Sequence, residues 1–129
     1  MTVDALIRAH QMQPHPFEGW WRQTARDVGE KREGLQLFSA MDEAGWHRMP
    51  AAMVYSLKDG GPVAISTSHD RRTAHADRLI RQGDSLPVAP GTLRALSCLG
   101  SFALLSVVLT PDCALTDRIL MPDDWFPQG

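Results

Sequence analysis

The stretch Gly83–Met121, GDSLPVAPGTLRALSCLGSFALLSVVLTPDCALTDRILM, holds three apolar runs punctuated by Pro-Gly, Leu-Gly-Ser and Thr-Pro-Asp. Short apolar runs closed by turn residues read as consecutive strands of an all-β core. Side chains alternate along a strand, so Arg94, Leu96 and Cys98 share one face, with Leu93, Ala95 and Ser97 on the other. In the last run Leu115, Asp117 and Ile119 alternate with Thr116, Arg118 and Leu120. With the apolar faces turned inward, Arg94 and Asp117 point into the core together. Between them, residues 102–109 are mostly apolar on both faces. That run is expected at the centre of the core, and its second face needs a cover, which argues for a homodimer.

Working outward, the same grammar extends upstream. Segments near 18–25, 34–40, 45–49, 52–57, 62–67, 77–81 and 86–90 alternate with Gly, Pro, Asp and Ser, the pattern of a β-sandwich or barrel. Asp59-Gly60-Gly61 is the strongest hairpin signal, because consecutive glycines supply the positive φ angles of tight turns. At the start, Thr2 is a candidate N-cap, and Val3, Leu6, Ile7 and His10 recur at helical spacing. A short amphipathic helix should therefore open the chain, and Pro14-His15-Pro16 should end it. At the other end, Trp125 and Phe126 are expected to pack back on the barrel or across a subunit boundary.

Composition narrows the function classes. The 129 residues suit one domain spanning 1–129, and a net charge of −2 gives no bias towards nucleic acid or an anionic membrane. The most polar segment, residues 68–84, carries four arginines, but Asp70, Asp77 and Asp84 interrupt them and no aromatic is present to stack a base. It reads as a solvated hairpin loop. Cys98 and Cys113 lie in apolar surroundings without a CxxC or Cys/His ladder and read as free thiols. No targeting segment or ~20-residue apolar span is evident, so the expected location is the cytoplasm.

The segment GWHRMPAAMVYSLKDG, residues 45–60, holds the residues with most chemistry. Alternation puts Gly45, His47 and Met49 on one face and Trp46 and Arg48 on the other. Further on, Met53, Tyr55 and Leu57 share a face.

These residues carry a resemblance to the RmlC-like cupin superfamily of double-stranded β-helix (jelly-roll) barrels. The first cupin motif spaces His, His, Glu and Gly so that a start at His47 reaches positions 49, 53 and 60. The second, counted from Gly83, reaches Gly91 and Arg94. Within the superfamily the chain resembles a family of small cupins, the domain of unknown function 985. That family has a PHPEGG-type N-terminus, a Trp-His-Arg strand, a Pro-Ala-Gly turn and a final Asp strand. The matching stretches here are PHPFEGWWRQT, GWHRM, VAPGTLRA and TPDCALTD. The departures bear on function. Met49, Met53 and Arg94 stand where the resemblance implies metal ligands, and Phe17-Glu18 where it implies Glu-Gly. One imidazole beside two thioethers and a guanidinium suits neither Zn, Fe, Mn nor Ni, so no metal or other cofactor is expected.

What remains is a candidate anion site. Arg22 and Arg94 offer planar donor forks, His47 a third donor, and Thr24 and Tyr55 hydroxyls, with Met49, Met53 and Asp117 completing the pocket. Such a cup suits a small acidic ligand: a carboxylate, a phosphate or a sugar derivative. The bland reading of the same residues is that Arg94 pairs with Asp117 and His47 bonds a carbonyl, both structurally. His15, between two prolines, reads as leading the chain into a strand. The enzyme reading, by resemblance to metal-independent sugar-nucleotide epimerases and isomerases, makes His47 the general base and Tyr55 an acid.

Overall fold

Thr2 starts the helix as its sequence implies. In the computed structural model, which describes residues 2–127, Thr2 Oγ1 accepts the Ala5 amide at 3.1 Å and α1 runs over Val3–Ala9. The single-domain expectation also covers residues 1, 128 and 129, which lie outside that range. The apolar stripe of α1 docks through Leu6, with Met12, onto Leu37 and Leu104.

Eleven strands follow among the described residues: β1 (Gln13–Pro14), β2 (Trp20–Asp27), β3 (Lys31–Ser39), β4 (Glu43–Arg48), β5 (Ala52–Gly60), β6 (Val63–Ser68), β7 (His75–Leu79), β8 (Ser85–Val88), β9 (Leu93–Cys98), β10 (Phe102–Thr110) and β11 (Ile119–Leu120). They form two antiparallel sheets, ordered β1-β2-β3-β10-β5-β8 and β11-β4-β9-β6-β7. The inner faces close on a core that includes Phe38, Tyr55, Leu57, Leu105 and Val107 from one sheet and Ala44, Val63, Ile65 and Leu96 from the other. This is the all-β sandwich with one short N-terminal helix that the strand pattern implied, and the jelly roll that the resemblance implied.

β10 lies between β3 and β5, and Leu105 on it is fully buried. Leu105→Ala should cost about 3 kcal/mol in urea unfolding, the transfer of the lost methyl groups plus the cavity left behind. A cost below about 1 kcal/mol would mean that the core is not built around this strand. At its start the other face of β10 is covered within the chain, because Phe102 and Leu104 pack with α1, whereas Ser106 and Val108 further along stay half-buried.

Two local expectations fail. Asp59-Gly60-Gly61 does turn with positive φ at both glycines, but β5 and β6 belong to different sheets, so the turn is a crossover and not a hairpin. A side chain at Gly60 would also meet the Phe102 carbonyl at 2.4 Å. The expected strand at 115–121 begins instead as a 3₁₀ turn at Leu115–Asp117, and only Ile119–Leu120 pair with β4. The turn closes because the Asp117 carboxylate accepts the Ala114 amide at 3.0 Å.

The polar segment is the β6–β7 hairpin, whose Asp70 carboxylate accepts the amides of Arg72 and Thr73. Cys98 and Cys113 are free thiols. Trp125 packs edge-on against Trp46 with ring centroids 5.5 Å apart, while Phe126 stays exposed. No helix among the described residues is long and apolar enough to cross a membrane.

Candidate functional site

Antiparallel pairing of β4 and β9 sets His47 opposite Arg94, and both are wholly buried. β4 is irregular between Ala44 and His47. The bulge breaks the alternation expected at Gly45, which is exposed, yet it still turns His47 and Met49 inward. The displaced Gly45 carbonyl lies 2.7 Å from His47 Nδ1. A carbonyl only accepts, so Nδ1 carries the hydrogen and Nε2 presents a lone pair. Burial, followed by the Arg118 and Arg94 charges, depresses the His47 pKa to about 4, against the opposing pull of the Gly45 carbonyl. At neutral pH His47 is an uncharged acceptor, not the third donor that its residue type suggested.

Arg94 faces inward as the alternation of β9 implied, but Asp117 is not its partner. Its Nε and Nη2 donate to the Thr92 carbonyl at 3.2 and 3.0 Å, and Nη2 also to Ala89 at 3.3 Å. Asp117 is exposed, because the 3₁₀ turn rotates it outward and brings Arg118 in. Arg22 and Thr24 also leave the site. Trp21 packs against the core, so Arg22 next to it must face solvent, and the register slips between Gln23 and Ala25 with Thr24 exposed. Met49, Met53 and Tyr55 are buried as expected, with the Tyr55 hydroxyl 3.6 Å from Met53 Sδ. Burial pushes the Tyr55 pKa up, and the Arg94 charge opposes that shift.

Sequence reasoning missed the most polar part of the site. Arg118 forks onto Glu18, both side chains being 8% exposed, with Nη2 3.0 Å from Oε2 and Nη1 bonded to Oε1. Its guanidinium lies 4.4 Å from the centre of the Phe17 ring. Glu18 also accepts from Gln36 Nε2 at 3.0 Å. His15 Nδ1 is 3.0 Å from Glu18 Oε2 and 3.1 Å from the Phe17 amide, so it either donates to the carboxylate or accepts from the amide. Burial works to raise the Glu18 pKa, but the bonds from His15 and Arg118 outweigh it and hold the carboxyl at about 2. The one signal in the sequence was Glu18 itself, an acid where the small-cupin pattern implies glycine.

Behind this ion pair lies a cavity lined by Met49, Met53, Tyr55 and Trp21, with about 10 Å³ of free space, room for one water. In front lies an open cleft of about 350 Å³ lined by Phe17, Trp46, Leu120 and Asp123. Glu18 and Arg118 line both, so the pair forms the partition between them.

The donor set does not fit the metal that the barrel type implies. His47 Nε2 is free to ligate, but two thioethers and a guanidinium occupy the other three positions, and a second guanidinium acts on the same imidazole. Among the described residues no three His, Cys, Asp or Glu side chains converge as a metal site.

Comparison with known proteins agrees with this architecture. A hypothetical protein from Leishmania major superposes with a TM-score of 0.80 at 15% identity, over 94% of this chain and 88% of that one. A Shewanella oneidensis protein solved by X-ray crystallography gives 0.81 at 16% identity, over 94% and 85%. KdgF from Halomonas sp. gives 0.67 at 13% identity, over 82% and 90%. At such identities the likeness shows the fold alone. No curated protein matches in sequence. The family model described as Cupin superfamily (DUF985) matches residues 4–118, and the chain belongs to that family.

Proposed function

We propose that the protein binds a small anion, without a metal, where His47, Arg94 and Arg118 converge. One observation carries the reading. Among the described residues, the buried side-chain nitrogens left without a partner are His47 Nε2, Arg94 Nη1 and Arg118 Nε. Buried polar atoms are nearly always satisfied, and the Arg118 and Arg94 charges both act on His47, so three neighbouring orphans point to a missing ligand. Two of the three are guanidinium donors, and guanidinium recognises carboxylate and phosphate oxygens. The cavity behind the ion pair has room for one water, with Arg118 in its lining, so an acidic head group fits only once the Glu18 carboxylate moves aside. The rest of the ligand would lie in the outer cleft, with the Glu18 carboxylate displaced from Arg118.

The catalytic alternative, a metal-independent epimerase or isomerase with His47 as base, is less well supported. A base with a pKa of about 4 takes up a proton poorly at neutral pH. Its Nδ1 is held by a backbone carbonyl and not by a carboxylate that would stabilise the imidazolium.

Thermal shift at constant ionic strength tests the binding reading. Phosphate or small carboxylates should raise the melting temperature with concentration, reaching about 2.7 kcal/mol of added stability at a hundred times Kd. Arg94→Met should abolish the response and still fold, because no carboxylate is stranded. Absence of any response, or an equal one in Arg94→Met, would overturn the proposal.

A further inference from the structure

We propose that the ligand is a 2-hydroxy carboxylate, whose hydroxyl donates to His47 Nε2 while its carboxylate accepts from Arg94 and Arg118. This deepens the anion-binding reading and rests on it. The three orphaned atoms differ in kind. Arg94 Nη1 and Arg118 Nε can only donate, whereas His47 Nε2 has no hydrogen, because Nδ1 donates at 2.7 Å to the Gly45 carbonyl. An anion with acceptors alone would leave the imidazole lone pair buried and unsatisfied, and would press its negative oxygens against it.

The ligand must therefore carry its own donor next to its charge. A phosphate monoester loses its remaining proton near pH 6, and sooner between two guanidiniums, so it arrives with acceptors alone. The ammonium of an amino acid has donors but adds a third cation beside Arg94 and Arg118. A hydroxyl on the carbon next to the carboxylate is neutral, donates at any pH, and lies within one bond of the charged group. The substituent beyond it would enter the cleft of about 350 Å³, where Phe17 and Trp46 offer apolar faces.

Lactate, propionate and L-alanine are alike in size and differ only in the group beside the carboxylate. Their dissociation constants at pH 7.5 and fixed ionic strength, measured by ligand-observed NMR, test the assignment. One lactate enantiomer should bind at least about tenfold tighter than propionate, since propionate strands the buried acceptor. L-alanine should bind no better than propionate. In His47→Phe the advantage of lactate over propionate should vanish, and the comparison on the parent protein stands even where that variant fails to fold. Equal binding of lactate and propionate, lost together in Arg94→Met, would refute the hydroxyl requirement and leave the anion site standing. Tightest binding by L-alanine would also refute it. Failure of all three to bind would overturn the hydroxyl requirement and the anion reading together.

Discussion

Acidification from pH 7 to pH 2 should remove about 6 kcal/mol of stability in two successive steps. The upper step belongs to His47. Its folded pKa of about 4 lies below the ordinary 6.5, so between those values the unfolded chain binds a proton that the folded one refuses. Stability is full above pH 6.5 and falls with pH until about 4, a loss of about 3 kcal/mol. The lower step belongs to Glu18, whose folded pKa of about 2 lies below 4.5. Its contribution is full above pH 4.5 and is lost as the pH falls towards 2, again about 3 kcal/mol. A domain of this size has roughly 5–15 kcal/mol in all, so it should approach unfolding at the acid end. Urea midpoints at half-unit pH intervals would show the steps, with His47→Phe removing the upper and Glu18→Gln the lower. A flat profile between pH 6.5 and 4 would mean that His47 is not enclosed as described.

Glu18→Ala should cost about 4 kcal/mol at neutral pH, more than truncating a core leucine. Among the described residues the carboxylate is the one counter-charge bonded to Arg118, whose side chain is 8% exposed. Its removal strands a cation beside Arg94, which bonds only backbone carbonyls among the described residues. The double variant Glu18→Ala/Arg118→Met should be less destabilised than Glu18→Ala alone, because it takes the stranded charge away. Chemical unfolding of the three proteins gives the cycle. A single-variant cost under about 1 kcal/mol would show a solvent-screened pair and not a buried one.

Strand alternation made much of this molecule legible in its sequence. It placed Met53, Tyr55 and Leu57 on the inner face of β5 and Arg94, Leu96 and Cys98 on that of β9, as they stand. It failed wherever the backbone departed from a plain strand. The 3₁₀ turn after Thr-Pro-Asp exchanged Asp117 for Arg118, and with that one-residue rotation Asp117 left the interior and the bland reading's Arg94–Asp117 pair gave way to Glu18–Arg118. Arg22 and Thr24 were misread simply because Trp21 is the inward residue of β2, which leaves positions 22 and 24 outward. His47 was placed correctly and bonds a carbonyl as its structural reading had it, but the donor role at Nε2 fails, since the hydrogen on Nδ1 is fixed by a bulge carbonyl two residues back. A bulge of that kind leaves no mark in residue type.

The central claim is that His47 Nε2, Arg94 Nη1 and Arg118 Nε surround a small anion. A crystal structure of the protein with the small anion that most raises its melting temperature tests this most directly. The account predicts density for a carboxylate or phosphate group with oxygens about 3 Å from both guanidiniums, and Glu18 displaced towards the outer cleft. A single water in that space, with the Glu18–Arg118 pair unmoved and the anion bound elsewhere or absent, would contradict it.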